Sequence, residues 1–169
     1  INIARALVLE PDLLILDETL TSLDYAEQNA LLSLFGKLQK SYNFTYIFIS
    51  HDLAMVRRAC DRVAVMYLGE IVELGETDQI FEFPTHPYTQ ALLSALATLE
   101  DKPFLQKDCL LDGEPPSPVN LPVGCSFANR CPHAFERCQS ENPELTQIVA
   151  GGMRACHVAV SKLLPADSH

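Results

Sequence analysis

Two short apolar runs, each closed by ionisable residues, constrain this chain more than any other feature. Residues 13–16 read LLIL and stop at Asp17 and Glu18, while residues 44–49 read FTYIFI and stop at Ser50, His51 and Asp52. Continuous apolar runs of this length predict strands buried in a parallel sheet, and the second is rich in the aromatic and β-branched residues that strands favour. The polar residues would then emerge at the C-terminal mouth of the sheet, where α/β proteins bind their ligands. Between the runs, Leu31, Leu34, Phe35 and Leu38 recur at helical spacing and predict an amphipathic helix over about 25–40.

Further along, the pattern predicts a short helix over 53–59 and two strands, 62–67 and 70–74, joined at a Leu68-Gly69 turn. Helical patterns return at 77–82 and 88–99. In the latter, Tyr88, Ala91, Leu92, Ala95, Leu96 and Leu99 form one stripe, with Pro87 placed to start the helix. From Lys102 prolines crowd in, among them Pro115, Pro116, Pro118 and Pro122, and regular structure should be sparse. Alternating strands and helices argue for an α/β fold with a parallel sheet. The change of character sets two expected domains, 1–84 and 85–169.

Charge narrows the function. A formal net charge of -10 repels phosphate backbones and argues against direct nucleic-acid binding. No apolar run approaches the ~18 residues that cross a bilayer, so membrane association is expected to come through a partner. The chain opens at Ile1, without methionine and already in a helical pattern, and the N-terminal part of the first domain is expected to lie upstream.

The residue types at the sheet mouth suit phosphate hydrolysis. An Asp can hold Mg²⁺ through water, a Glu can orient or deprotonate an attacking water, and a His can sense a γ-phosphate. Taken singly, an Asp-Glu pair after a strand more often favours a helix dipole, and a lone His is more often structural. Together the motifs are specific. ARALVLEPDLLILDETLTSLD at 4–24 resembles the post-signature helix, Walker B strand and D-loop of an ATP-binding-cassette (ABC) ATPase. IFISHDLAMVRRACDRVAVMYLGEIVELG at 47–75 resembles its H-loop strand and following hairpin.

The resemblance implies a P-loop NTPase-type parallel sheet, of which this chain carries the C-terminal half. It also implies that Asp17 is the Walker B carboxylate on the Mg²⁺ shell, that Glu18 and His51 are catalytic, and that Thr21, Ser22 and Asp24 belong to the nucleotide-contacting D-loop. The family usually has Pro after the catalytic Glu and Ser-Ala before Leu-Asp, where this chain has Thr19 and Thr21-Ser22. That departure puts coupling between paired sites in doubt and removes no charged group. No GxxxxGK[ST] loop or LSGGQ-like signature is present, so the chain alone is expected to be inactive, with ATP hydrolysis belonging to the intact protein.

A second resemblance covers the rest. FPTHPYTQALLSAL (83–96), GEPPSP (113–118), PVGCSFANRCPHAFERC (122–138) and MRACH (153–157) resemble the C-terminal extension of dipeptide and oligopeptide transporter ATPases. Cys125, Cys131, Cys138 and Cys156 form a C-x5-C-x6-C-x17-C set in a Pro-rich segment, which a metal centre could order. Close C-x2-4-C pairs, the habit of structural zinc, are missing. Zinc stays open as an alternative, with His133 or His157 in place of a thiolate, as does a set of reduced thiols packing as small hydrophobes. The resemblance implies a [4Fe-4S] cluster on the four cysteines. Cys60 and Cys109 are read as structural.

The family likeness implies an energy-coupling ATPase of a bacterial importer for di- or oligopeptides, on the cytoplasmic face of the inner membrane. Its implied partners are a second ATPase subunit, like or unlike, two membrane permeases and an extracytoplasmic peptide-binding protein. Competing readings are a cassette ATPase for another substrate such as nickel, a soluble cassette protein of DNA repair or translation, and a metal-binding interaction module centred on 100–169.

Overall fold

The computed structural model describes residues 2–21, 23–95, 121–149 and 151–163. Ser22, Cys109, the GEPPSP segment and the end of the helix expected over 88–99 lie outside the described residues. Two compact units divide the chain, Ile1–Cys60 and Asp61–His169. This division falls earlier than the change of sequence character at 84/85, because the strands after Asp61 pair with a strand near residue 153.

The first unit is built of helix α1 (Asn2–Leu7), strand β1 (Leu13–Asp17), helix α2 (Tyr25–Tyr42), strand β2 (Thr45–Ile49) and helix α3 (Leu53–Ala59). β1 and β2 pair in parallel, with Leu13 opposite Thr45 and Asp17 opposite Ile49. Asp24 caps α2 by accepting from the Glu27 amide, and Asn43, at φ +52°, ends it in the left-handed conformation that Asn tolerates. Leu14, Leu16, Leu20, Phe35, Phe44 and Met55 form the core of this unit.

Two sequence expectations shift here. The strand runs are covered on one face only: Leu14 and Leu16 are buried, whereas Leu13, Ile15, Ile47 and Ile49 are each about half exposed. On α2 the inward stripe is Leu31, Leu32, Phe35 and Leu38, and Leu34 turns outward.

The second unit carries a four-stranded antiparallel sheet in the order β3-β4-β6-β5, from β3 (Arg62–Tyr67), β4 (Glu70–Glu76), β5 (Thr146–Gln147) and β6 (Met153–Arg154). Leu68 and Gly69, both at positive φ, close the β3–β4 hairpin, the backbone a two-residue type I′ turn requires. Helices α4 (Thr77–Glu82), α5 (Pro87–Ser94) and α6 (Glu136–Ser140) complete it. Its centre is aromatic: the rings of Tyr67, Tyr88 and Phe127 stand 4.7 to 5.5 Å apart by centroid. Among the described residues the fold is thus mixed α/β, with one parallel and one antiparallel sheet. Among the described residues no helix is long and apolar enough to cross a membrane.

Candidate functional site

Parallel pairing of β1 and β2 sets Asp17-Glu18 beside Ser50-His51 at the same strand ends. The ladder continues one residue past β1, because the Glu18 amide donates to the Ile49 carbonyl at 3.0 Å. Glu18 sits at φ +46°, a left-handed conformation uncommon for a residue with a side chain. Its carboxylate Oε1 stands 3.1 Å from Nδ1 of His51, and both side chains are more than half exposed. A contact between two exposed groups contributes little to stability, so this pair is available for chemistry. Asp17 is exposed at the same mouth.

The loop after Glu18 is held from within. Leu20 is buried, the Thr21 hydroxyl donates to the Glu18 carbonyl at 2.8 Å, and Gln28 Nε2 donates to the carbonyls of Leu20 and Leu23. Asp24 uses Oδ1 on the Glu27 amide. Thr21 and Asp24 therefore lie in the expected loop but are engaged locally. Asp52 caps α3 through the Met55 amide, which fixes the chain directly after His51. Sequence reasoning missed Arg58, whose Nη1 donates to the Tyr25 hydroxyl and to Asn29 Oδ1, and so ties α3 to the start of α2. Nothing in the local pattern signals this, since it depends on two helices meeting. A cavity of about 520 Å³ in this unit, lined by Leu7, Val8, Tyr42 and Phe44 among others, lies at the opposite end of the strands.

In the second unit Cys125, Cys131, Cys138 and Cys156 line one small pocket with His86, Pro87, Phe127 and His157. All four thiols are free. The Cys125 amide donates to the Cys138 carbonyl, which closes the 125–138 loop. Gly124 permits that closure, since a Cβ there would stand 2.3 Å from the Cys138 carbonyl oxygen. Burial raises the thiol pKa values of Cys125, Cys131 and Cys156, that of Cys131 to about 12. His157 reaches the pocket, with Nε2 3.0 Å from the Glu141 carbonyl oxygen. His133 is exposed and is not part of the lining, and Cys60 ends α3. Among the described residues no group of three or more His, Cys, Asp or Glu is arranged to hold a metal ion. The four-cysteine ligand set is therefore gathered around one space without forming ligand geometry.

Beside this pocket lies a buried polar network absent from the sequence reading. Glu73, 2% exposed, accepts from the Thr85 amide and hydroxyl and from the His86 amide. Desolvation raises its pKa against those hydrogen bonds. Buried Arg154, opposite Glu73 in the β4–β6 ladder, donates Nη1 to the Thr85 carbonyl and Nη2 to the Val158 carbonyl. His86 is held neutral, its pKa lowered to about 3 by burial and by the Arg154 charge.

A parallel strand pair with carboxylates and an imidazole at one mouth, joined in one chain to a cysteine-rich unit, defines a mixed α/β protein with a polar side-chain cluster at its strand ends. Residues 72–138 match the family model described as the oligopeptide/dipeptide transporter C-terminal region. The chain is 44% identical over 162 residues to the putative oligopeptide transport ATP-binding protein YkfD of Bacillus subtilis, covering 94% of this chain and 48% of that protein. It is 49% identical to the probable peptide ABC transporter ATP-binding protein y4tS of Sinorhizobium fredii, covering 94% and 44%. With the di/tripeptide transport ATP-binding protein DppF of Pseudomonas aeruginosa the identity is 46%, covering 94% and 49%. Over 94% of its length the chain is thus similar to ATP-binding proteins of oligopeptide and di/tripeptide transport. It spans about half the length of the curated relatives it matches.

Proposed function

We propose that this chain supplies the Walker B, D-loop and H-loop part of an ATP-hydrolysing subunit that powers a bacterial importer of di- or oligopeptides. The observation that carries the proposal is the 3.1 Å approach of Glu18 to His51 at the mouth of a parallel strand pair. In this reading Glu18 positions and deprotonates the water that attacks the γ-phosphate, and His51 holds Glu18 and the γ-phosphate in line. Thr21, Ser22 and Asp24 would contribute to nucleotide binding as the D-loop. Asp17 would hold Mg²⁺ through water, and a single exposed carboxylate with substrate phosphates suits an ion that retains much of its hydration shell. Bound there, the ion would neutralise charge on the phosphate oxygens.

The half-exposed leucine and isoleucines on β1 and β2 support a P-loop NTPase-type sheet that other chain covers in the working protein, since parallel sheets are buried on both faces. The relatives' names support peptide as cargo, and a second ATPase subunit, two permeases, an extracytoplasmic binding protein and a place on the cytoplasmic face of the inner membrane belong to the same reading through the resemblance of the motifs. ATPase assays on the full-length protein test the reading. Glu18→Gln should abolish turnover while ATP binding persists, and unchanged turnover would remove Glu18 from the catalytic role.

A second element of the proposal is a metal centre in the C-terminal unit, with Cys125, Cys131, Cys138 and Cys156 as ligands of a [4Fe-4S] cluster and zinc as the alternative. The convergence of four unlinked thiols on one pocket supports it. The all-sulfur donor set suits such a centre, which would cross-link a region with little regular structure. Iron, zinc and acid-labile sulfide analysis of anaerobically purified protein distinguishes the cluster from zinc and from bare thiols.

A further inference from the structure

Glu18 and His51 meet as two exposed side chains, and such a pair does not hold itself at 3.1 Å. Their separation is set by the backbone that carries each of them. On the strand side that is the ladder bond from Glu18 to Ile49. Beyond the strands the chain runs from Glu18 into α2 and from His51 into α3, so the starts of two helices carry the other end of each loop. The loop after Glu18 is hung on α2, because Asp24 caps that helix and Gln28 Nε2 holds the carbonyls of Leu20 and Leu23. The turn after His51 is hung on α3, because Asp52 caps it through the Met55 amide and donates its own amide to Ser50 Oγ.

Arg58 joins these two helices. Its Nε donates to the Ala54 carbonyl one turn back, which fixes the guanidinium against its own helix. Its Nη1 then crosses to α2 and donates to the Tyr25 hydroxyl at 3.0 Å and to Asn29 Oδ1 at 2.6 Å. The same guanidinium lies over the Tyr25 ring, 4.9 Å from its centroid. Tyr25 follows the Asp24 cap and Asn29 follows Gln28, so the grip closes on the stretch of α2 that carries the loop. The far end of α3 is fastened to the sheet as well, by the Tyr46 hydroxyl of β2 donating to the Ala59 carbonyl at 2.6 Å.

We infer that Arg58 is a positioning residue for the Glu18–His51 pair: it locks the start of α2 to α3 and so holds the two loops where the carboxylate meets the imidazole. It acts through the helices and touches neither side chain of the pair. A lysine could not replace it, since a single ammonium on a flexible stem lacks the planar fork that meets Ala54, Tyr25 and Asn29 together. In its kinetic readout the inference rests on the hydrolytic reading of Glu18 and His51, and in its exchange readout on the geometry alone.

The test uses the full-length protein without nucleotide, with hydrogen–deuterium exchange followed by mass spectrometry on peptides covering 19–28 and 50–57. Arg58→Ala should speed exchange in both peptides by about fivefold, the scale of a partly exposed hydrogen bond from a charged donor. Asn29→Ala, on the opposite helix, should speed both as well, and the double variant should exchange no faster than Arg58→Ala, because one interaction is lost in each case. Arg58→Lys should fall short of wild-type protection. In ATPase assays Arg58→Ala should lower kcat with KM for ATP unchanged, the mark of an interaction felt at the reacting centre, and the melting temperature should hold. Faster exchange confined to 50–57 in Arg58→Ala, additive effects in the double variant, or an unchanged kcat would each overturn the inference. If Arg58→Ala fails to fold, Asn29→Ala decides, and exchange that speeds only in 19–28 would overturn it. Turnover that survives Glu18→Gln would defeat the hydrolytic reading alone, leaving the exchange result to judge Arg58.

Discussion

Glu18 and Glu73 are both strand-associated carboxylates, and the two units treat them in opposite ways. Glu18 is over half exposed, its backbone pinned to Ile49 and its side chain met, among the described residues, by the still more exposed His51. Glu73 is 2% exposed and surrounded by the donors of Thr85 and His86. Burying a carboxylate is costly unless hydrogen bonds replace its water, so Glu73 is committed to structure. Leaving one at a sheet mouth costs almost nothing and keeps its lone pairs for a ligand. The contrast teaches where to look for chemistry in this chain: at the sparsely partnered acid, and not at the densely partnered one.

Mutation can break that contrast. Glu18→Gln should lower ATP turnover of the full-length protein by roughly 10²–10⁴-fold, the usual worth of a general base, while leaving the melting temperature unchanged. A large loss of thermal stability in this variant would make Glu18 structural and erase the difference. Glu73→Ala should do the reverse and destabilise the second unit by about 3–5 kcal/mol, the cost of removing one member of a buried charged network, as chemical denaturation would register.

Glu73 also has a pH signature. Burial raises its folded pKa, so its contribution to stability is present at acidic pH and is lost as pH rises through the folded value. Glu73→Gln, which cannot ionise, should flatten that part of the stability profile measured above the ordinary carboxylate range. Arg154 and His86 belong to the same network, and the Gln variant leaves both of their side chains in place. An unchanged profile would show that Glu73 is ionised equally in folded and unfolded chain.

Smaller effects sharpen the picture. Gly124→Ala would press a methyl group onto the Cys138 carbonyl and should cost about 1–3 kcal/mol, as overpacking does, with faster alkylation of Cys125. Asp52→Ala removes the α3 cap and should cost about 1 kcal/mol, read as a lower melting temperature.

Periodicity made most elements of residues 13–82 legible, and the two strand endings marked Asp17, Glu18 and His51 before any geometry. Other features were not local. That β1 and β2 are bare on one face could not be read from LLIL, because a run of apolar residues says nothing of what covers it. Leu34 fits the helical stripe by spacing yet faces outward, since the partner surface begins at Leu31 and Leu32. β5 and β6 are too short for alternation to register. Glu73 was hidden by an irregularity: the β3–β4 register shifts between Val65 and Met66, which breaks strict alternation and buries Val72 and Glu73 in succession. The four cysteines read together in the sequence line one pocket without the arrangement of a metal site among the described residues, and the part played by Thr85, His86 and Arg154 needed the fold.

The main-chain bond from Glu18 to Ile49 has a dynamic corollary. It clamps the carrier of the carboxylate to the strand that leads into His51, so the backbone at the sheet mouth is already set before any ligand arrives. Ordering on arrival is then confined to side-chain rotations, which cost less than the ~1–2 kcal/mol per residue of fixing loose backbone. A displacement of His51 would likewise tug on Glu18 through one shared ladder rung, making the two loops a single moving part.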